Sequence, residues 1–194
     1  MCGASTAELD YAFKEWIVLD KLVGVVLSNV KGCVVEIGAG YSTLVLAKQA
    51  EDVGVKLYSC DISTRKCDWV RKAIAYDGLV VFRGSSKAFL DQFDDVPAVV
   101  FIDGNHHYST IKFESDFLLE KMPYGGVMFL HDTMPWQRTY EKKVGSNKEI
   151  TTHILRKEFE KREDLECFTW PYTAVQCGLT MLLKKDMSQP FYRT

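Results

Sequence analysis

Four short, largely apolar runs in this chain each end on an acidic residue. Residues 33–35 lead into Glu36, 56–60 into Asp61, 98–102 into Asp103 and 127–131 into Asp132. Runs of this length, rich in Val, Ile and Phe and bounded by turn residues, read as strands buried on both faces of a parallel sheet. The stretches between them carry helical spacing. The pattern predicts strands at 33–37, 56–61, 79–83, 98–103 and 126–131, with helices at 42–50, 64–76 and 109–121 and a short one after Ser85. Ahead of them, Leu9, Phe13, Trp16, Ile17, Val23, Val26, Leu27 and Val30 fall near one stripe of a helix over 8–29.

The end of the chain breaks this rhythm. A helix around 148–162 precedes two strand-like runs, Leu165–Trp170 and 175–183. The connection at 171–174 is too short for a parallel crossover, so the two runs should pair antiparallel. The whole then reads as α/β: a doubly wound, Rossmann-like sheet of seven strands, mostly parallel, with a C-terminal antiparallel hairpin. Such a sheet binds its ligand beyond the carboxyl ends of the strands. Four acids placed there would face one cleft. That suits a ligand that is cationic, rich in hydroxyls, or carried on a metal.

Composition narrows the setting. With 194 residues, 47% of them hydrophobic and 26% charged, the chain suits one domain over 1–194 with a full core. A formal net charge of -2, with basic residues scattered among acids, gives no global footprint for nucleic acid. No apolar run nears the roughly 18 residues of a membrane span. Glu8 and Asp10 stand where a signal peptide would carry basic and apolar residues. Cys2, Cys33, Cys60, Cys67, Cys167 and Cys177 contain no C-x-x-C pair, so reduced thiols in a cytoplasmic protein are expected.

Glu36-Ile37-Gly38-Ala39-Gly40 falls at a strand-to-helix turn, where glycine allows close backbone approach. Asp61 closes the next strand, about 20 residues on, where a carboxylate can accept both ribose hydroxyls. The dinucleotide fingerprint G-x-G-x-x-G fails at Thr43, and no Gly-Lys-Ser/Thr follows to make a phosphate loop. Glu36 would repel a phosphate but attract an ammonium or sulfonium group. S-adenosylmethionine (SAM) carries both cations and no phosphate.

On these residues the chain resembles class I SAM-dependent methyltransferases, over about residues 9–185. Residues 34–40 look like the family's glycine-rich first motif, and 58–62 like its ribose-binding acidic motif. The resemblance implies that Glu36, Gly38, Ala39, Gly40, Tyr41, Ser42 and Thr43 line the methionine half of the cofactor. It puts Asp61 on the ribose with Ile62 beside it, Ser85 and Ser86 on the adenine, and Asp103 also in contact with the cofactor.

Ile102-Asp103-Gly104-Asn105-His106-His107-Tyr108, then Gly125-Gly126 and His131-Asp132-Thr133, resemble the small O-methyltransferase branch related to catechol methyltransferases. The cephalosporin-hydroxylase-like branch is also similar. In metal-dependent members, acids ending the fourth and fifth strands hold a divalent cation that binds substrate oxygens. Asp103 and Asp132 match those positions. Thr133 falls where catechol-type enzymes carry an amide ligand. His106 stands where they carry a catalytic lysine, and a histidine there could take a hydroxyl proton near neutral pH. His107 and His153 read as structural.

Elementary electrostatics supports a cation. Two carboxylates converging at neighbouring strand ends repel, so one must protonate or a cation must sit between them. Oxygen ligands and an open site favour magnesium. Adjacent strand residues point to opposite faces, so His131 shares a target with Asp132 only if the strand has already ended. If His131 does join, manganese becomes more fitting.

The leading expectation is therefore an enzyme that moves the SAM methyl group to an oxygen of a small-molecule acceptor, with Mg2+ or another divalent cation. Three alternatives stand beside it. One is a metal-independent methyltransferase with His106 or His131 as base, oriented by Asp103. The second is a SAM-binding partner protein without catalysis. The third is a nicotinamide oxidoreductase, against which Thr43 and Glu36 count. Trp136, Tyr140 and Trp170 are candidates to shape the acceptor pocket, with substrate choice in the first helix and in 133–147. The chain starts close to its first helix, leaving little room for a lid. The site is then open, or completed by a second copy in a homodimer.

Overall fold

The computed structural model describes residues 6–134, 152–171 and 178–189, with side chains from residue 16 onward. Its elements are α1 Thr6–Asn29, β1 Cys33–Ile37, α2 Tyr41–Val53, β2 Leu57–Asp61, α3 Thr64–Ala73 and β3 Leu79–Arg83. There follow α4 Ser86–Leu90, β4 Pro97–Ile102, α5 Tyr108–Lys121, β5 Val127–His131, α6 Thr152–Phe159, β6 Leu165–Trp170 and β7 Leu179–Lys184. The strands form one seven-stranded sheet in the order β3-β2-β1-β4-β5-β7-β6. β1 to β5 pair in parallel, and β7 runs antiparallel to both β5 and β6. The doubly wound sheet and its closing hairpin are those expected from the pattern.

Element ends moved by a few residues. α2 continues to Val53, where Gly54 in the left-handed conformation stops it by donating to the Ala50 and Glu51 carbonyls. α3 stops at Ala73, short of the expected 76. Several expectations lie outside the described residues: the helix start at 148, the strand start at 175, Cys2, Cys177, Trp136, Tyr140 and most of 133–147. Cys33, Cys60, Cys67 and Cys167 are free thiols. Among the described residues no helix is long and apolar enough to cross a membrane.

Alternation along the strands supplies two cores. Val34, Phe101 and Phe129 project to one face of the sheet, against Leu19 and Val23 of α1 and Leu46 of α2. Val35, Val100 and Leu130 project to the other, against Phe89 of α4, Ile111 and Leu118 of α5 and Leu155 of α6. Ile17, placed on the buried stripe by its spacing, is 44% exposed, and Leu19 takes that place. Lys184 of β7 donates to the Leu119 and Met122 carbonyls at 2.7 Å each. A cation there satisfies the open end of α5 and suits its dipole.

Strand order reverses at β1, which has β2 on one side and β4 on the other. Helices leave on opposite faces at that point, so a crevice opens above the strand ends. β5 lies next to β4 and brings its own end to the same rim. Phe129 is fully buried in β5. Phe129→Ala should cost about 3–5 kcal/mol, read as a lower urea midpoint. An unchanged midpoint would mean that this face of the sheet is not close-packed.

Candidate active site

The turn after β1 is built around two constraints. Gly38 has φ 102°, and a Cβ on it would lie 2.2 Å from the Asp103 carbonyl oxygen. Only glycine fits, because the loop after β4 runs in contact with it. A Cβ on Gly40 would meet no protein atom within 4 Å. The bare backbone there faces open space, as a cradle for a ligand would. Gly40 caps α2: its N–H donates to Thr43 Oγ1 at 2.9 Å.

Beneath this turn sits Glu36, fully buried. Ser42 Oγ donates to its Oε1 at 2.5 Å, Thr43 Oγ1 to its Oε2 at 2.7 Å, and Ser59 Oγ also to Oε2. This corrects the expectation that Glu36 offers its charge to the cleft: both oxygens are taken by hydroxyls, which ties β1, β2 and α2 together. The Ser42 and Thr43 side chains are likewise turned inward. Burial pushes the Glu36 pKa up to about 7 against the pull of the three hydroxyls.

Asp61 ends β2 beside the crevice. Its Oδ1 accepts from the Ser63 N–H at 2.7 Å, and its Oδ2 pairs with Lys66 Nζ at 3.1 Å. Tyr41 and Ile62 stand on the rim, 71% and 78% exposed, and Tyr41 meets Trp69 edge-on at 5.2 Å. Ser85 caps α4 by accepting from the Ala88 N–H, and Ser86 begins that helix.

The ends of β4 and β5 bring four side chains together. His131 Nδ1 lies 3.1 Å from Asp103 Oδ1 and 3.3 Å from Asp132 Oδ1. His106 Nε2 lies 3.3 Å from Asp132 Oδ2 and 3.7 Å from Asp103 Oδ1. His131 and Asp132 are consecutive, yet they meet because the strand ends at His131. Asp132 then takes φ 56°, the one positive φ among described non-glycine residues. Aspartate tolerates that conformation better than most residues, and its strain marks a site where direction matters. Ligand atoms of Asp103, His131 and Asp132 all lie within 4.8 Å of one another.

At Asp103, burial raises the carboxyl pKa, but His131 and then His106 outweigh it and hold the group below the ordinary carboxylate range. Thr133 does not join the cluster. It is buried, and its hydroxyl accepts from Thr180 at 2.8 Å, which pairs in turn with Thr169. His107 sits at the N-cap of α5, its ring 3.0 Å from Ser109 Oγ. His153 lies in the first turn of α6.

Three neighbours were not read from the sequence. Ser59 stands opposite Glu36 in the β1–β2 register, a pairing that only the register reveals. Lys66 is one turn into the helix that follows Asp61. Glu114 lies on α5 in the buried row with Ile111 and Leu118, where an acid interrupting an apolar stripe was the available signal.

Comparison with known proteins gives the family. A model described as a methyltransferase domain matches residues 35–133, just over half of the chain, from β1 to the end of the β5 turn. The chain belongs to that family. This methyltransferase matches none of the curated proteins. Its fold is shared with solved structures at low identity. An O-methyltransferase from Bacillus cereus, solved in complex with S-adenosylhomocysteine (SAH), is 16% identical at a TM-score of 0.69, covering 88% of this chain and 81% of that one. TomG, an O-methyltransferase from Streptomyces achromogenes involved in tomaymycin synthesis and solved with SAM, is 16% identical at 0.67, with coverage of 89% and 80%. An rRNA methylase from Streptococcus thermophilus is 13% identical at 0.62, with coverage of 87% and 95%.

Glu36 makes this methyltransferase's stability depend on pH. An unfolded glutamate ionises near 4.5 and this one near 7, so between those values the folded state holds a proton that the unfolded state has lost. Stability is therefore lost as pH rises through that window, by about 3 kcal/mol for the full shift. The melting temperature should rise between pH 8 and pH 6, and Glu36→Gln should flatten that rise. Parallel profiles for wild type and variant would show that Glu36 ionises in the ordinary range.

Proposed function

We propose that this methyltransferase moves the methyl group of SAM to an oxygen of a small acceptor held at the ends of β4 and β5. The observation that carries this reading is the convergence of Asp103, His106, His131 and Asp132 beside the Gly38 turn. The backbone contact between Gly38 and Asp103 fixes the turn against the acidic loop, so the cofactor and acceptor halves share one wall. SAM-bound and SAH-bound relatives of the same fold support the choice of cofactor. Gly38, Ala39 and Gly40 would receive its amino-acid end, Asp61 the ribose, and Ser85 and Ser86 the base.

Transfer forms an oxygen–carbon bond as the carbon–sulfur bond breaks, and the acceptor's proton must leave. His106 would take it. A proton accepted at Nε2 lands between Asp132 and Asp103, which stabilise the imidazolium. Much of the remaining rate would come from alignment of oxygen, methyl carbon and sulfur, which a rigid wall provides.

Asp103, His131 and Asp132 also fit a divalent cation: three donors on two neighbouring strand ends, clustered within 4.8 Å. A bound cation would hold the acceptor oxygen and lower its pKa. A nitrogen donor in the set suits manganese or a similar ion better than magnesium. A metal-free reading has its own support, because the imidazoles already lie between the carboxylates. Mn2+ binding, followed by loss of the free-ion paramagnetic signal, decides between them. Wild type should bind and Asp132→Asn should not. Full turnover in excess chelator, with His106→Ala slower by roughly 10²–10⁴-fold, would favour the histidine-only route.

For the cofactor, SAH should bind in calorimetry, and Asp61→Ala should weaken it by about 1.5–3 kcal/mol, the usual size for a lost charge-assisted hydrogen bond. Absence of SAH binding by the wild-type chain would sink the SAM reading.

A further inference from the structure

Asp132 is turned out of the ladder between β5 and β7. In that register His131 stands opposite Leu179, so a continuing strand would set Asp132 opposite Gly178. Instead the Thr133 N–H donates to the Gly178 carbonyl at 3.2 Å, one residue out of step. Asp132 is thus the extra residue of a bulge, a device that re-aims side chains next to active sites. Its φ of 56° is left-handed, a conformation that this position in a bulge commonly gives to glycine. An aspartate there meets backbone resistance, yet it sets a carboxylate 3.3 Å from His131 Nδ1 and 3.3 Å from His106 Nε2.

The strained peptide is anchored where the chain rejoins the sheet, at Thr133. Its hydroxyl accepts from Thr180 at 2.8 Å, and Thr180 lies 2.9 Å from the Thr169 hydroxyl. Thr169 and Thr180 are directly paired across β6 and β7. A hydroxyl has one proton to give. Thr180 gives its own to Thr133, so Thr169 must donate to Thr180. The chain therefore runs one way, from β6 through β7 to the residue that follows Asp132. Thr133 and Thr180 are fully buried, where such bonds are costly to leave unmade. We propose that Thr180 is a positioning residue: acting through Thr133, it holds Asp132 in the left-handed conformation and its carboxylate beside the two histidines. This inference rests on the proposed reading of that cluster as the acceptor end of the site.

The test compares crystal structures, Mn2+ binding, SAH binding and melting for wild type, Thr180→Val and Thr180→Ser. Valine keeps the shape and removes the hydroxyl, whereas serine keeps the hydroxyl. In Thr180→Val, Asp132 should leave the left-handed region and its carboxylate should move out of reach of His106 Nε2. Mn2+ should bind about 10–100-fold more weakly, the usual cost of losing a group that orients a ligand. SAH affinity should stay nearly unchanged, because the proposed cofactor contacts lie on earlier strands. Thr180→Ser should restore both the conformation of Asp132 and the Mn2+ affinity. Thr133→Val breaks the same bond from its other end and should displace Asp132 likewise, which covers a Thr180→Val chain that does not fold. A lowered melting temperature with Asp132 in place and Mn2+ affinity unchanged would give the threonines a structural role only and overturn the inference. Equal losses of Mn2+ and SAH affinity would overturn it as well, because they would report general loosening. No Mn2+ binding by wild type would overturn the cation reading alone, and the position of Asp132 in the variant structures would still decide this inference.

Discussion

The site depends on a carboxyl that never reaches it. Glu36 accepts from Ser42, Thr43 and Ser59 inside the protein, so one side chain joins the end of β1, the middle of β2 and the first turn of α2. Two of the partners come from the first turn of α2 and the third from β2. The raised pKa measures the opposition between burial and those donors. With the turn fixed from below, its upper surface is left to bare backbone at Gly38 and Gly40. The Gly38 contact with Asp103 then transmits the position of β1 to the loop after β4.

Sequence pattern carried the fold well because its signals were redundant. Each parallel strand was both a short apolar run and the partner of a following helix, and the brief 171–174 connection left one way to pair the last two strands. The acids at the strand ends were legible for the same reason: a run that stops on a charge has reached the rim of a sheet. Asp103 and Asp132 do converge there, joined by His106 and His131. Glu36 was misread in direction only. It is the fourth residue of a strand whose every position is buried, and the end of the run does not say which side of the turn a side chain occupies.

What stayed illegible required pairing across elements. Ser59 is a bland strand residue until the register sets it opposite Glu36. The rotation of Asp132 into the cluster depends on its positive φ, and no composition rule announces a strained aspartate. Thr133 could be placed beside the cluster by sequence position, yet its hydroxyl belongs to a buried chain with Thr180 and Thr169 on the antiparallel edge. Lys66 and Glu114 sit on helices, where a side chain's neighbours are set by packing rather than by spacing alone.

The two ends of the crevice manage charge differently, and this bears on how a methyltransferase can hold a cation-bearing cofactor beside a carboxylate pair. At Asp61 the negative charge is already met by Lys66 and a backbone N–H, so a hydroxyl-rich ligand would compete for a carboxylate that is preorganised rather than bare. At β4 and β5 two carboxylates share two imidazoles within hydrogen-bonding reach or just beyond it. Asp103 stays ionised because the histidines outweigh its burial. That arrangement meets the negative charge at the rim mainly with imidazoles, whose charge can change. A proton, a cation or a polarised acceptor can each be exchanged there, whereas a lysine pair would hold its charge throughout. The histidines therefore make the cluster adjustable where the sheet makes it rigid, and the proposed transfer, in which an acceptor is bound and then gives up its proton, would need both.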